Sequence, residues 1–201
     1  MKAEEWDRRY AAAEGGLFGD APNLYLRAIL SRPDCAPRSA LVLADGDGRN
    51  GTWLAAQGLA VTAVDLSAEA TRRAEARDRA AGVAAERAVA DLAEWAPGPR
   101  RWDMAAILFL HGPATLRRRT IETAAAALAP GGWLVLEGFG LGQAGGGMGP
   151  DDPAYLYDLD ALRGWAAGLA LVEALEGVVA LDEGPRHAGE AAVVRVTARR
   201  L

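Results

Sequence analysis

The sequence of residues 39–51 is SALVLADGDGRNG. Its first six residues form a short apolar run that ends at a cluster of glycine and aspartate, a pattern typical of a strand buried on both faces. Gly46 and Gly48 allow a sharp turn and let a ligand approach the main chain closely. A helix is predicted to begin at Asn50. In open α/β sheets this strand–turn–helix arrangement places a ligand beyond the carboxyl ends of the strands.

The sequence on either side of this stretch continues the alternation of strands and helices. A parallel sheet covered by helices on both faces is therefore expected. The final segment departs from this alternation of strands and helices. Its two strand-like runs are joined by a connection too short for a crossover helix, so they must pair antiparallel. We predict an α/β fold formed by a single Rossmann-like, doubly wound domain over residues 1–201. Its seven-stranded, mostly parallel sheet has the order 3-2-1-4-5-7-6 with an antiparallel last strand. The predicted strands are Ser39–Ala44, Val61–Asp65, Ala88–Asp91, Met104–Leu110, Trp133–Phe139, Leu175–Leu181 and Ala191–Ala198.

Composition narrows the functional classes. The chain has 201 residues, 51% of them hydrophobic, and a net charge of −5, which argues against a duplex nucleic-acid binder. Lys2 is the only lysine, so chemistry that needs a buried lysine is excluded. The single Cys35 cannot form an intramolecular disulfide and suits a reducing, cytoplasmic location. We expect no secretory signal, no membrane span and no metal site.

Asp65 ends the second predicted strand, 19 residues after Gly46. A carboxylate at this position can accept hydrogen bonds from both hydroxyls of a ribose. The string G-x-G-x-x-G from Gly46 to Gly51 alone would suggest NAD or FAD, but two neighbouring carboxylates, Asp45 and Asp47, would repel a pyrophosphate. S-adenosylmethionine lacks phosphate and carries a sulfonium and an ammonium group, so the acidic loop favours it.

Several segments resemble the class I S-adenosylmethionine-dependent methyltransferases, and especially the small bacterial members similar to tellurite-resistance and thiopurine methyltransferases. Gly46–Asn50 is similar to the family's Gly-Thr-Gly-Arg-Asn loop, and residues 61–67 to its second motif. Leu128–Leu134 resembles the Leu-x-Pro-Gly-Gly turn before the fifth strand. The departures are Val42 and Ala44, which stand where the family has an acid and a glycine.

The resemblance implies S-adenosyl-L-methionine as the methyl donor, with S-adenosyl-L-homocysteine as product, and a helical cap at residues 1–35. Asp65 would hold the ribose, Asp91 and Leu92 would contact the adenine, and Trp6 and Tyr10 would close over the donor, although ordinary helix packing explains these two aromatics equally well. We expect residues 1–20 and the glycine-rich segment 138–149 to become ordered on binding. The expected donor-binding set is Trp6, Tyr10, Ala44, Asp45, Gly46, Gly48, Asn50, Asp65, Leu66, Asp91, Leu92 and Leu110.

The acceptor is expected to be a small molecule such as a thiol, a chalcogen or another small nucleophile. No catalytic residue is assigned, but His111 and His187 are the candidates, since they are the only histidines. The alternative interpretations are that His111 is a strand-end residue bonded to the backbone and that His187 is a surface-loop residue. Residues 117–119 are three arginines, interpreted as the solvated face of a helix. A non-catalytic donor-binding protein and a protein or nucleic-acid methyltransferase remain alternatives.

Overall fold

Helices and strands alternate along the computed structural model, which describes residues 2–150 and 152–201. The helices are α1 (Ala3–Ala11), α2 (Leu24–Leu30), α3 (Arg49–Ala56), α4 (Ala68–Ala81), α5 (Ala114–Ala127) and α6 (Leu159–Trp165). The strands are β1 (Ser39–Leu43), β2 (Ala60–Asp65), β3 (Glu86–Val89), β4 (Trp102–Leu108), β5 (Leu128–Phe139), β6 (Ala170–Gly184) and β7 (His187–Arg199). No helix in the described part of the chain is both long enough and apolar enough to cross a membrane.

The strands form one sheet in the order β3-β2-β1-β4-β5-β7-β6. Strands β1 to β5 are parallel, and β7 runs antiparallel to both β5 and β6. The predicted order and the antiparallel last strand are confirmed. The sheet edge at the carboxyl ends of β1, β2 and β4 therefore carries the loops that the sequence singles out.

Alternating side chains of β1 build the two layers of the core. Leu41 and Leu43 face the layer that contains α5 and α6. Ala40 and Val42 face the layer that contains α2 and α3. Successive side chains of a strand point to opposite faces, so an uninterrupted apolar run is what a doubly covered strand requires.

The ends of α4 follow from two residues. The Ser67 hydroxyl accepts a hydrogen bond from the Ala70 amide at the first turn, and Gly82 ends the helix with φ of +67°. Both were predicted as the helix boundaries. The last two strands are longer than predicted, because their pairing continues from Ala170 opposite Arg199 to Gly184 opposite His187. Pro185 and Arg186 alone remain between β6 and β7.

One surface prediction is wrong for one of its three arginines. Arg118 and Arg119 are exposed as expected, and Arg118 forms an ion pair with Glu122 at 2.8 Å. Arg117 is 3% exposed, and its guanidinium donates hydrogen bonds to the carbonyls of Ala154 and Leu156. The segment that precedes α6 crosses this face of α5, so its carbonyl groups need a buried donor.

Candidate functional site

A cavity of about 510 Å³ opens at the carboxyl ends of β1, β2 and β4. This volume lies in the range of small-molecule and cofactor sites. The loops that follow these strands form its floor, and residues of α1 and the segment after it form one wall. Among the described residues no cluster of three or more histidine, cysteine, aspartate or glutamate side chains could hold a metal.

The cavity brings together most of the residues expected to bind the donor. Gly48 is the member of that set that does not line it. A Cβ atom on Gly48 would lie 2.7 Å from the Cβ of Ala74, so this glycine faces α4 instead. The predicted residues that line the cavity are Trp6, Tyr10, Ala44, Asp45, Gly46, Asn50, Asp65, Leu66, Asp91, Leu92 and Leu110, together with both candidate histidines.

The loop after β1 holds two left-handed residues against the cavity. Gly46 has φ of +58°, and a Cβ atom there would lie 2.4 Å from the hydroxyl of Tyr10. Close packing by Tyr10 therefore explains why this position needs glycine. Ala44 has φ of +60°, a conformation that costs a non-glycine residue about 1–2 kcal/mol. The backbone there keeps the shape that the family's glycine would allow.

Asp45 and Asp47, the two acids of this loop, both bond to other groups of the protein. The Asp45 carboxylate lies 2.8 Å from Arg87 and accepts a hydrogen bond from the Gly51 amide at 3.0 Å. Burial raises the pKa of Asp45 to about 6, against the opposing charge of Arg87. Asp47 accepts a hydrogen bond from the amide of Leu17 at 3.0 Å. Both acids are therefore less available to a cationic ligand than the sequence suggested. Asp45 links α3 to β3 through its contacts with Gly51 and Arg87.

Asp65 differs from these acids, because it forms no ion pair within the described residues. One carboxylate oxygen accepts the Gly46 amide at 2.8 Å, and the other accepts the Ser67 amide at 2.9 Å. Burial raises its pKa, which the backbone amides oppose. Its charge is thus offset by dipoles alone, and each oxygen retains a lone pair for a hydroxyl donor in the cavity.

Aromatic rings form the wall opposite Asp65. The ring of His187 lies 4.3 Å from that of Phe109, 5.1 Å from Phe18 and 5.6 Å from Phe139, measured between centroids. Phe109 adopts φ of +55°, a strained conformation that turns it toward this group. The interpretation of His187 as a surface-loop residue is wrong, since it is 2% exposed.

His111 stands on the same wall, with its ring 6.1 Å from Trp6 and 6.2 Å from Phe139. Its Nε2 atom is buried and has no hydrogen-bond partner among the described residues. Burial, with the nearby charges of His187 and Arg9, lowers the pKa of His111 to about 4. This imidazole is therefore neutral at physiological pH.

Sequence reasoning missed several residues of the cavity. Phe109 is separated from His187 by a long stretch of chain, so no local spacing reveals it. Arg49 follows Gly48 directly and was not predicted as a residue of the cavity. Its guanidinium lies 2.8 Å from the Glu183 carboxylate. A lone arginine inside a glycine-rich loop was the one available signal.

Three comparisons with known proteins bear on this arrangement. Residues 40–132 match a family described as a methyltransferase domain. The chain has no significant match among curated proteins. The N-methyltransferase NodS from Bradyrhizobium japonicum WM9, in complex with S-adenosyl-L-homocysteine, has a similar structure with a TM-score of 0.73 and 18% identity, over 98% of this chain and 97% of that one.

Two further solved structures share the fold. TehB from Haemophilus influenzae gives a TM-score of 0.68 with 16% identity, over 83% of this chain and 58% of that one. A protein studied for the conversion of a disulfide bond into a thioacetal group during echinomycin biosynthesis gives 0.78 with 20% identity, over 98% and 91% of the two chains. At these identities the likeness concerns the fold.

Proposed function

We propose that the chain is a class I S-adenosylmethionine-dependent methyltransferase and that it methylates a small-molecule acceptor, which binds between the donor and the aromatic wall of the cavity; the match of residues 40–132 to a methyltransferase domain supports this proposal. The donor is S-adenosyl-L-methionine, and S-adenosyl-L-homocysteine is the product. A cytoplasmic site of action is part of the proposal and is supported by the one cysteine, Cys35, which is free and buried.

The donor would lie across the ends of β1 and β2. Asp65 would accept hydrogen bonds from the ribose hydroxyls, since it lines the cavity and its carboxylate oxygens retain free lone pairs. Asp91 and Leu92 follow β3 and would contact the adenine. Tyr10 and Trp6 would cover the methionine end beside the Gly46 turn. The support for these roles is that all five of these side chains line the same cavity.

The acceptor would lie at the end of the cavity bordered by Phe18, His111 and His187. In the transfer the bond between the methyl carbon and the sulfonium sulfur breaks, its electron pair stays on sulfur, and the acceptor's nucleophilic atom bonds to the methyl carbon. The protein's task is to align these three atoms and exclude water. An aromatic wall serves both purposes, because it presents flat apolar surfaces and few competing hydrogen bonds.

One observation carries the proposal: Asp65 and the aromatic side chains around His187 line the same cavity. Calorimetry with S-adenosyl-L-homocysteine tests the donor half, and turnover of S-adenosylmethionine with a panel of small thiols, phenols and amines tests the acceptor half. Binding without turnover of any acceptor would favour a non-catalytic binding protein. Turnover only with protein or nucleic acid would contradict the small-molecule acceptor.

Replacing Asp65 with alanine should weaken the binding of S-adenosyl-L-homocysteine by about 1–3 kcal/mol, because the ribose hydroxyls lose a charged hydrogen-bond partner. Isothermal titration calorimetry measures this change. Glu75→Ala is the matched control, since it removes an exposed carboxylate from α4 far from the cavity. Unchanged affinity in Asp65→Ala would mean that Asp65 does not hold the ribose.

Residues 1–35 are proposed as the helical cap; Met1, at its start, lies outside the described residues. Residues 3–20 are held by both polar and apolar contacts: the Leu17 amide binds Asp47, Asp7 accepts hydrogen bonds from the Ser67 hydroxyl and the Glu69 amide, and Tyr10 and Leu17 pack against Ala70. A short helix such as α1 depends on such tertiary contacts. Hydrogen exchange of residues 3–20 and 138–149 should slow when S-adenosyl-L-homocysteine binds. Equal exchange of residues 3–20 in both states would make Trp6 and Tyr10 ordinary core residues.

A further inference from the structure

The imidazole of His187 is held from one side by a buried ion pair. Arg49 and Glu183 lie 2.8 Å apart, with side chains that are 6% and 0% exposed. A second nitrogen contact joins Arg49 Nη2 to His187 Nδ1 at 3.3 Å. Glu183 also accepts hydrogen bonds from the Leu24 amide and from the Asn23 side chain, both at 2.9 Å. The ion pair is thus fixed from several directions.

These contacts determine which ring nitrogen of His187 carries the proton. An arginine guanidinium is always protonated and can only donate, so Nδ1 must accept the hydrogen bond from Arg49. The distance from Nδ1 to the Glu183 carboxylate is 3.6 Å, too long for a competing hydrogen bond. The neutral ring therefore carries its proton on Nε2.

The surroundings of His187 also keep the ring neutral. Burial and the positive charge of Arg49 lower its pKa, and the neighbouring Glu183 opposes them only in part. The other titratable side chain on this wall, His111, is itself neutral at physiological pH. The remaining neighbours are the rings of Phe18, Phe109 and Phe139, which offer no hydrogen bond. The Nε2 proton of His187 is therefore a donor whose position is fixed at this end of the cavity, whereas the ring of His111 has no hydrogen-bond partner at Nε2 among the described residues.

We propose that His187 is a hydrogen-bond donor to the nucleophilic atom of the acceptor, and that the acceptor reacts as an anion, the thiolate or phenolate of an aromatic molecule. Arg49 and Glu183 are then positioning residues, which hold the ring in its donating state. This inference rests on the proposed function and specifies the acceptor for the same cavity.

The chemistry balances without a protein base. The acceptor loses its proton to solvent before it enters, as a thiol of ordinary acidity does in part near neutral pH. Within the site the carbon–sulfur bond of the sulfonium breaks as the new bond to the anion forms. One cation and one anion become two neutral products, and no proton remains to be transferred. A donor at Nε2 orients the anion and offsets part of the hydration that it lost.

The test uses para-substituted thiophenols and phenols of graded acidity as acceptors, with the full-length chain and S-adenosylmethionine. His187→Gln keeps a hydrogen-bond donor near the Nε2 position but has no basic nitrogen. His187→Ala has neither a donor nor a basic nitrogen. Loss of a hydrogen bond to a charged group lowers kcat/KM by about 10–100-fold, mainly through weaker binding and orientation of the anion, and we expect that loss in His187→Ala only. Arg186→Gln, an exposed change in the same hairpin, is the control. Thermal unfolding and S-adenosyl-L-homocysteine affinity identify variants that fail to fold.

The pH profile of the unmodified protein provides a readout that needs no variant. If the acceptor enters as an anion, the midpoint of the rate profile shifts from probe to probe with the acidity of the thiophenol. A midpoint common to all probes, or a His187→Gln variant as slow as His187→Ala, would overturn the donor role in favour of a general base. Failure to methylate any probe while S-adenosyl-L-homocysteine still binds overturns the acceptor class alone. Failure to bind S-adenosyl-L-homocysteine overturns the proposed function itself.

Discussion

Replacing Arg87 with methionine should lower the free energy of unfolding by about 3–5 kcal/mol, the usual cost of removing one partner from a buried ion pair. The Arg87 side chain is 3% exposed and lies 2.8 Å from Asp45 and 2.7 Å from Asp78. It also donates to the hydroxyl of Thr52. Without the guanidinium, two buried carboxylates would face each other with no cation between them. Urea unfolding at neutral pH measures the loss.

Arg100→Met is the matched control for this prediction. Arg100 forms an ion pair with Glu86 near the same strand, but the two side chains are 47% and 61% exposed. An exposed pair contributes about 0–1 kcal/mol. A loss in Arg87→Met no larger than that in Arg100→Met would contradict a structural role for the buried cluster. Asp45 would then be free to serve the ligand.

Acidification should destabilise the protein through Glu183. Burial opposes ionisation of this side chain, but the charge of Arg49 and the amide of Leu24 favour the carboxylate and hold the pKa of Glu183 below its ordinary value. A carboxylate with a lowered folded-state pKa stabilises the fold above its ordinary pKa of 4.5, and this contribution is lost as the pH falls toward 2. The stability advantage of the unmodified protein over Glu183→Gln should therefore shrink by about 2–3 kcal/mol across that window.

The measurement is urea unfolding of both proteins between pH 2.5 and 7. Glu190→Gln removes an exposed carboxylate from the same hairpin and controls for the change in net charge. If the difference between the unmodified protein and Glu183→Gln were constant over the whole range, the ion pair with Arg49 would not contribute to stability. The same variant bears on the role of His187, because loss of the carboxylate frees Arg49 to move.

The strand order was predictable because it depends on local features of the chain. Apolar runs marked the inner strands, and the short connection before His187 required an antiparallel hairpin. Ser67 and Gly82 marked the ends of α4 through their own hydrogen-bonding and backbone preferences. Asp65 was predicted at the cavity because the end of β2 fixes its place. Each of these inferences uses residues that lie close together in sequence.

The errors concern side chains whose partners are distant in sequence. Arg117 was expected at the surface, but carbonyl groups about 40 residues further along the chain bury it. Asp45 lines the cavity as expected, but the sequence did not indicate that its carboxylate pairs with Arg87 on β3. His187 was interpreted as a loop residue, and only the folded hairpin places it under Phe18. Composition and spacing carry no information on which distant group compensates a buried charge.

The sequence by itself determined the sheet, its order and the place of the cavity, since hydrophobic periodicity and turn residues act over a few positions and the crossover rules fix the rest. Only the tertiary structure decided the chemistry of the acceptor end. Arg49, Glu183 and His187 lie on three elements, α3, β6 and β7, and 134 residues separate Arg49 from Glu183 in sequence. Their contacts exist only after β6 and β7 have joined the sheet, because a buried charge takes its partner from whatever the completed packing brings within hydrogen-bond distance.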